Sequence, residues 1–204
     1  MFTTNPYTQA GWSNSQNTFF VPEGTWRIFP SQAPTYGALP SPTGSESPDS
    51  VTINFDSRVG GPLNCSVFGS SRHQKYYDIV TEEGTPKVVK FQRANGKTFA
   101  TVEWFQQPVI EIAELVPRKL ASEWLFICPG QTVAIMELGE EKYTWMLQNN
   151  AIYLYKPQAF SQGHAVLAKV YRGSEYLSLN VNISLIQEGK LEAIVVAAAL
   201  LQSG

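Results

Sequence analysis

Charged side chains are scarce in this chain of 204 residues. They make up 16% of it, and the formal net charge is −2. A protein that binds nucleic acid, or the anionic surface of a membrane, carries an excess of Lys and Arg as a patch or a stripe. This sequence has no such excess, so it predicts that nucleic acid is not a partner.

Residues that supply chemistry are also few. The two cysteines, Cys65 and Cys128, lack the spacing of metal ligands and are too few for a disulfide scaffold, which favours a reducing compartment. The two histidines, His73 and His164, belong to no recognised catalytic motif. The sequence therefore predicts no metal site, no cofactor and no catalytic residue that could be named with its partners.

Long apolar runs are absent except at the C-terminus, where "LEAIVVAAALL" (191–201) is interrupted only by Glu192. A helix needs about 20 apolar residues to cross a bilayer, and this run has about half of that. The N-terminal residues show neither the positive charge nor the apolar core of a secretory signal. These features predict a cytoplasmic protein without a transmembrane segment.

Residues 1–50 are rich in Pro, Gly and Ser and show no period of 2 or 3.6, which predicts an irregular arm. Within it, "TWRIF" (25–29) is more aromatic than disordered segments usually are. We expect this part of the arm to pack as an added strand, either on the domain formed by residues 51–204 or on a partner.

From Val51 onward, short β-type runs alternate with turn residues. The "KVVKFQRANGKTFATVEW" segment predicts a hairpin with a type I′ turn at Asn95-Gly96, and a second strand that turns Trp104 towards a core. Further runs with short connections predict an antiparallel meander, because such connections leave no room for crossover helices. The cleanest alternation, in "YLSLNVNISL", predicts one half-buried strand that continues to Leu185.

The C-terminal run predicts a helix from Lys190 to about Gln202. Its contiguous apolar residues surround the axis instead of forming a stripe, and a helix that is apolar all round is buried. The small alanine side chains would fit a narrow tunnel. We therefore expect the strands to close around this helix as a barrel.

The segments "FATVEWFQQPVIEIAELVPRKL", "KYTWML", "AIYLY", "AVLAKVY" and "LSLNVNISLIQEGKLEAIVVAAALL" carry a resemblance to the tubby-like superfamily. This superfamily includes the tubby C-terminal domain, the LURP-one-like proteins and the phospholipid scramblases. Most narrowly, the chain resembles a tubby-like family of unknown function from mushroom-forming fungi. The resemblance covers roughly Asp78 to Leu201 and rests on the order of the elements.

The resemblance implies a closed antiparallel β-barrel of about twelve strands around the buried C-terminal helix. Tubby domains bind phosphoinositides through basic residues on the barrel wall, and the one evident basic cluster in the matching region of this chain is Arg118-Lys119. The resemblance therefore implies that these two residues are the candidates for contact with a lipid.

Three other side chains are candidates for a site. Glu103 precedes the core residue Trp104 and could act as an acid or base if it faced a pocket. Tyr153 and Tyr155 lie opposite the apolar Ile152 and Leu154, so we expect them on the surface.

Two functions remain open at this stage. The first is a non-catalytic module that binds a protein or lipid partner through its barrel-wall loops and its N-terminal arm. The second is an enzyme or small-ligand-binding protein with a pocket between the arm and the barrel wall, using Glu103, His73 or His164.

Overall fold

A computed structural model describes residues 49–57, 61–70, 73–128, 132–156, 166–173 and 176–203. Apart from Asp49 and Ser50, the predicted arm lies outside these ranges. Within them the strands and helices are β1 Ser50–Phe55, β2 Cys65–Gly69, β3 Lys75–Glu82, β4 Lys87–Arg93, β5 Thr98–Trp104, β6 Val109–Ile112, β7 Val116–Leu120, α1 Ala121–Trp124, β8 Leu125–Ile127, β9 Val133–Leu138, β10 Glu141–Gln148, β11 Ala151–Tyr155, β12 Ala168–Arg172, β13 Leu177–Asn182, α2 Ile183–Gln187 and α3 Leu191–Leu201.

All the described strands belong to one antiparallel sheet in the order β7-β6-β5-β4-β3-β2-β1-β13-β12-β11-β10-β9-β8. The first and last strands pair with each other near the middle of the sheet, with Ser50 opposite Asn182 and Phe55 opposite Leu177. The two outermost strands, β7 and β8, are consecutive in the chain and are joined by the four residues of α1. The mainly β, antiparallel architecture predicted from the sequence is confirmed.

The hairpins are correctly predicted, but one turn type is wrong. β4 and β5 pair as expected, yet among Asn95 and Gly96 only Gly96 has a positive φ, at 81°. A type I′ turn requires positive φ at both central residues. That turn occurs instead between β10 and β11, where Asn149 and Asn150 have φ of 47° and 61°.

The strand predicted to reach Leu185 ends three residues earlier, because Asn182 starts a helix. The Asn182 side chain accepts a hydrogen bond from the backbone N–H of Ser184 at 2.9 Å. Such a cap satisfies one of the N–H groups that the first turn of a helix leaves without a partner. Helix α2 then turns the chain, and Gly189, with φ of 72°, leads into α3.

Helix α3 is buried as predicted: every residue from Ala193 to Leu201 is inaccessible to solvent. None of the helices in the described ranges is long and apolar enough to cross a membrane. The hydrophobic core contains α3 together with inward side chains from strands throughout the sheet. Inner residues such as Val102, Ile152 and Leu179 alternate with outer ones along their strands.

Ion pairs at the start of α3 show how strongly the sheet curves. Glu192 is bound by Arg93 of β4 at 2.6 and 3.0 Å, while Lys190 pairs with Glu141 of β10. β4 and β10 are seven strand positions apart, which in a flat sheet would separate them by about 34 Å. Two side chains of one helical turn cannot span that distance, so the sheet curls around the beginning of α3.

Candidate functional site

The interior of the sheet is filled by large side chains. Trp124, Trp145, Tyr143 and Phe91 are fully or almost fully buried among the inner residues. Within the described part of the chain, the indole Nε1 atoms of Trp124 and Trp145 are buried without a hydrogen-bond partner. Two isolated donors cannot by themselves bind and orient a polar substrate, so the candidate functional groups are those on the outer surface.

We call the solvent-facing side of the sheet the outer wall. The outward side chains of strands β3 to β10 make up its charged part. Four of its carboxylates bind a nearby ammonium or guanidinium group. These ion pairs are Lys75–Asp78 at 2.8 Å, Lys90–Glu82 at 2.6 Å, Lys142–Glu137 at 3.0 Å and Arg118–Glu103.

The other part of the outer wall, on β11, β12, β13 and β1, has no carboxylate in its strands, and its cations are Lys169 and the exposed Arg172 at the end of β12. We call its outward side chains the tyrosine–amide face. They are Tyr153, Tyr155, Lys169, Tyr171, Ser178, Asn180, Ser50, Thr52 and Asn54. Each alternates with a core residue of its strand, and Lys169 is the one charged member. Thr52 and Ser178 are nearly buried, so the tyrosine, lysine and asparagine side chains provide most of the accessible surface.

At one end of this face, tyrosine rings surround a lysine. Tyr153 and Tyr155 are stacked, with ring centroids 6.4 Å apart and an interplanar angle of 25°. The Nζ of Lys169 lies 5.6 Å from the Tyr153 ring centroid and 5.1 Å from that of Tyr171. The pairing of Tyr153 with Lys169 across β11 and β12 brings these groups together. Both distances are within the range of cation–π attraction.

The other end of the face is a hydrogen-bonded row of small polar side chains. The Nδ2 of Asn180 donates to the Oγ of Ser50 at 3.1 Å and to the Oγ1 of Thr52 at 3.2 Å. The Oγ of Ser178 donates to the Oδ1 of Asn54 at 2.8 Å. These bonds link β1 to β13, the first and last strands along the chain, and they hold the side chains in fixed positions.

Of the five candidate residues from the sequence, Tyr153 and Tyr155 come together on this face. Burial, and then the neighbouring Tyr153, raise the pKa of Tyr155, so its phenol remains protonated and can donate a hydrogen bond. The sequence analysis did not single out Lys169, Tyr171 or Asn180. Their outward positions could have been found from the alternation in "AKVY" and "LSLNVN", but their neighbours across the sheet could not.

Glu103, Arg118 and Lys119 lie elsewhere, on the charged part of the wall. Both Nη atoms of the Arg118 guanidinium donate to Glu103, with Nη2 at 2.8 Å from Oε2. This hydrogen bonding lowers the pKa of Glu103, which keeps the carboxylate ionised. Lys119 is half-buried, so it does not extend an exposed basic surface with Arg118. Glu103 therefore faces a guanidinium on the outer wall.

Among the described residues, the groups proposed for catalysis show no arrangement that favours it. His73 is exposed, while His164 and the pocket expected beside the arm lie outside the described residues. Cys65 donates to the carbonyl of Pro62 at 3.6 Å, and burial raises the pKa of its thiol to about 12. In the ranges that the structure describes, no three His, Cys, Asp or Glu side chains are grouped so that they could hold a metal ion.

A cluster of charged and phenolic groups surrounds Glu141 at the start of α3. Its carboxylate accepts hydrogen bonds from Lys156, from Lys190 and, at 2.7 Å, from the hydroxyl of Tyr143. Lys190 also donates to the Tyr143 hydroxyl and to Glu188, both at 2.6 Å. The hydrogen bonds from Lys156 and Lys190 lower the pKa of Glu141 to about 2. The cluster ties the helix to β10 and to the end of β11.

Comparisons with known proteins place few constraints on function. No protein-family model matches the chain, and no curated protein matches it. The chain is similar to a protein from Arabidopsis thaliana whose structure was solved by X-ray crystallography, with 8% sequence identity and a TM-score of 0.44. That similarity covers 74% of this chain and 91% of the Arabidopsis chain.

Proposed function

We propose that this protein is a non-catalytic interaction module of the cytoplasm that binds a protein or lipid partner through its outer wall and its N-terminal arm. Its framework, in this proposal, is a closed barrel of the tubby-like kind with α3 as a plug. Two observations support closure: the outermost strands β7 and β8 are joined by only four residues, and β4 and β10 both bind the first turn of α3.

The filled interior is the reason to assign binding to the outside. A small-molecule site is usually a concave pocket lined by apolar side chains and a few convergent polar groups. Here the space inside the sheet contains α3, whose residues Ala193–Leu201 are inaccessible, and large side chains such as Trp124 and Trp145. Glu103, the carboxylate considered for catalysis, is bound by Arg118. Among the described residues, nothing favours the catalytic alternative.

The observation that carries the proposal is the composition and order of the tyrosine–amide face. Tyr, Ser and Asn are the residues that antibody binding loops use most, since tyrosine gives a large contact area at low entropic cost and the small polar groups adapt their hydrogen bonds. Tyrosine is also enriched among the residues that dominate binding energy. This face combines Tyr153, Tyr155 and Tyr171 with Asn54 and Asn180 on neighbouring strands.

The experiment compares full-length wild type with a variant that carries Tyr153→Ser and Tyr171→Ser. A matched control carries Glu137→Gln and Lys142→Met on the charged part of the wall. Each protein is first checked by thermal unfolding, then used for affinity capture and for flotation with phosphatidylcholine vesicles with and without anionic lipid.

We expect wild type and the control to retain the same partner and the tyrosine variant to lose it. If the tyrosine variant retains every partner and vesicle that wild type retains, the face is not the binding surface. A variant lacking residues 1–48 measures the contribution of the arm, and loss of the partner on this deletion alone would assign binding to the arm instead.

A further inference from the structure

We infer that the tyrosine–amide face binds an acidic peptide segment, and that Lys169 is the anchor for one of its carboxylates. This inference rests on the proposed function, because it names the partner of the same face. It starts from the environment of Lys169, whose ammonium lies 5.6 Å and 5.1 Å from the ring centroids of Tyr153 and Tyr171.

The rings position the ammonium but do not neutralise it. An ammonium group has three N–H donors, and attraction to a ring face replaces a hydrogen bond only in part. Among the described residues, no carboxylate forms an ion pair with Lys169. The lysines of β3, β4 and β10, such as Lys90 and Lys142, do have carboxylate partners. Lys169 is therefore an oriented cation without a counter-ion in the part of the chain that the structure describes.

The surroundings of Lys169 also suit an acidic ligand. None of the other side chains of the tyrosine–amide face carries a charge, so no carboxylate on this face repels an incoming anion. Complementary charge across an interface determines the register and suppresses wrong partners.

The number of cations near the face distinguishes between the classes of anionic partner. Binding to an anionic membrane gains about 1 kcal/mol per basic residue and takes a cluster of four to eight. Binding to nucleic acid likewise requires several phosphate contacts from Lys or Arg. Lys169, even together with Arg172 at the end of β12, satisfies neither requirement, but one lysine among uncharged hydrogen-bonding groups matches one carboxylate in an otherwise polar peptide.

The dimensions of the face suit a short extended segment. From β11 to β1 the sheet advances by three strand spacings, which is about 14 Å. An extended peptide rises about 3.3 Å per residue, so four or five residues cross the face from β11 to β1. Amide side chains have two donors and two acceptor lone pairs, so Asn54 and Asn180 can keep their present bonds and still bond to a peptide backbone.

The test begins with selection from a phage-displayed library of random 12-residue peptides on the full-length protein. Selected peptides are synthesised in two forms, one with the acidic residue and one with the corresponding amide. Both are titrated against wild type, Lys169→Met and Lys142→Met by fluorescence anisotropy. Methionine keeps the apolar stem of lysine without its charge, and Lys142 is the control on the charged part of the wall.

We expect the selected peptides to share an acidic position. Lys169→Met, or replacement of the acid by its amide, should weaken binding by about ten- to a hundredfold, as loss of a charge-assisted hydrogen bond does. Making both changes should cost no more than making one, and Lys142→Met should leave the dissociation constant unchanged. Unchanged melting temperatures would show that the variants are folded.

Several results would overturn the inference. Peptides that lose binding with Tyr153→Ser but bind Lys169→Met as tightly as wild type would refute the carboxylate anchor and leave the proposed face intact. Peptides unaffected by Tyr153→Ser and by Asn180→Ala would refute both proposals. Failure to enrich any peptide would refute a peptide ligand, and vesicle binding that depends on Lys169 would put an anionic lipid in its place.

Discussion

Replacing Glu141 by glutamine should destabilise the protein at neutral pH and have little effect at low pH. Glutamine keeps the size of the side chain and one acceptor oxygen but removes the charge that Lys156 and Lys190 share. The Lys190 side chain, which is 16% exposed, would keep Glu188 as its one anionic partner. A half-buried cation that loses a carboxylate partner destabilises the folded state.

The size of the effect follows from the pKa of Glu141, which is lowered from 4.5 to about 2 by its hydrogen bonds with Lys156, Lys190 and Tyr143. A shift of that size corresponds to about 3 kcal/mol of differential interaction between the two protonation states. Because the carboxylate side chain is 37% exposed, screening by water reduces this to roughly 1–2 kcal/mol. We therefore expect Glu141→Gln to lower the free energy of unfolding at pH 7 by that amount.

The pH dependence has a definite sign. A carboxyl group whose pKa is lower in the folded than in the unfolded state stabilises the fold above its unfolded pKa, and this contribution is lost as the pH falls through its folded pKa. The difference between wild type and Glu141→Gln should therefore be complete above about pH 5. It should shrink steadily from the ordinary pKa of 4.5 towards 2.

Urea unfolding followed by tryptophan fluorescence, at intervals between pH 7 and pH 2.5, measures this difference directly. Glu137→Gln is the control, since its partner Lys142 is 65% exposed and a surface pair contributes less than about 1 kcal/mol. A difference between wild type and Glu141→Gln that is the same at pH 7 and pH 3 would show that the charge of Glu141 does not stabilise the fold.

Substitutions in α3 and at Asn182 test the packing and the helix cap, and a labelling experiment tests the thiol of Cys65. Ile194→Ala, in the inaccessible part of α3, should lower the free energy of unfolding by about 2–5 kcal/mol; a cost below 1 kcal/mol in urea titration would mean that the helix is not enclosed. Asn182→Ala removes the cap of α2 and should cost about 1 kcal/mol, whereas Asn182→Asp should preserve most of the stability in the same titration. Cys65, with its thiol pKa raised to about 12, should react with iodoacetamide at pH 8 roughly a hundredfold more slowly than a small-molecule thiol, and rapid labelling of the folded protein in mass spectrometry would contradict this.

Much of the fold could be predicted because its signals are local. Apolar alternation in "ATVEW" and "LNV" identified the strands, and short connections implied antiparallel pairing. The errors arose where a polar side chain changed the local structure. Asn182 continues the alternation of β13, but its side chain bonds to the N–H of Ser184 and starts a helix. Alternation alone cannot show which asparagine will act as a cap.

The candidate site was harder to predict because its parts are distant in sequence. Tyr153 and Tyr155 are visible as an outward pair within one strand, and they do lie together. The row that joins Asn180 to Ser50 and Thr52 connects residues about 130 positions apart. It exists only because β1 pairs with β13, and no local pattern encodes that pairing.

The apolar composition of helix α3 does not determine how the helix is rotated about its own axis. The hydrophobic effect is non-directional, so a helix that is apolar on all sides has no preferred rotation from burial alone. Two directional contacts at its start can supply that preference: Glu192 bound by Arg93 of β4, and Lys190 bound by Glu141 of β10. Since these strands lie seven positions apart in the sheet, a rotation of the helix that kept one pair would break the other. The charged residues at the start of α3 thus favour one rotation of the apolar helix within the sheet.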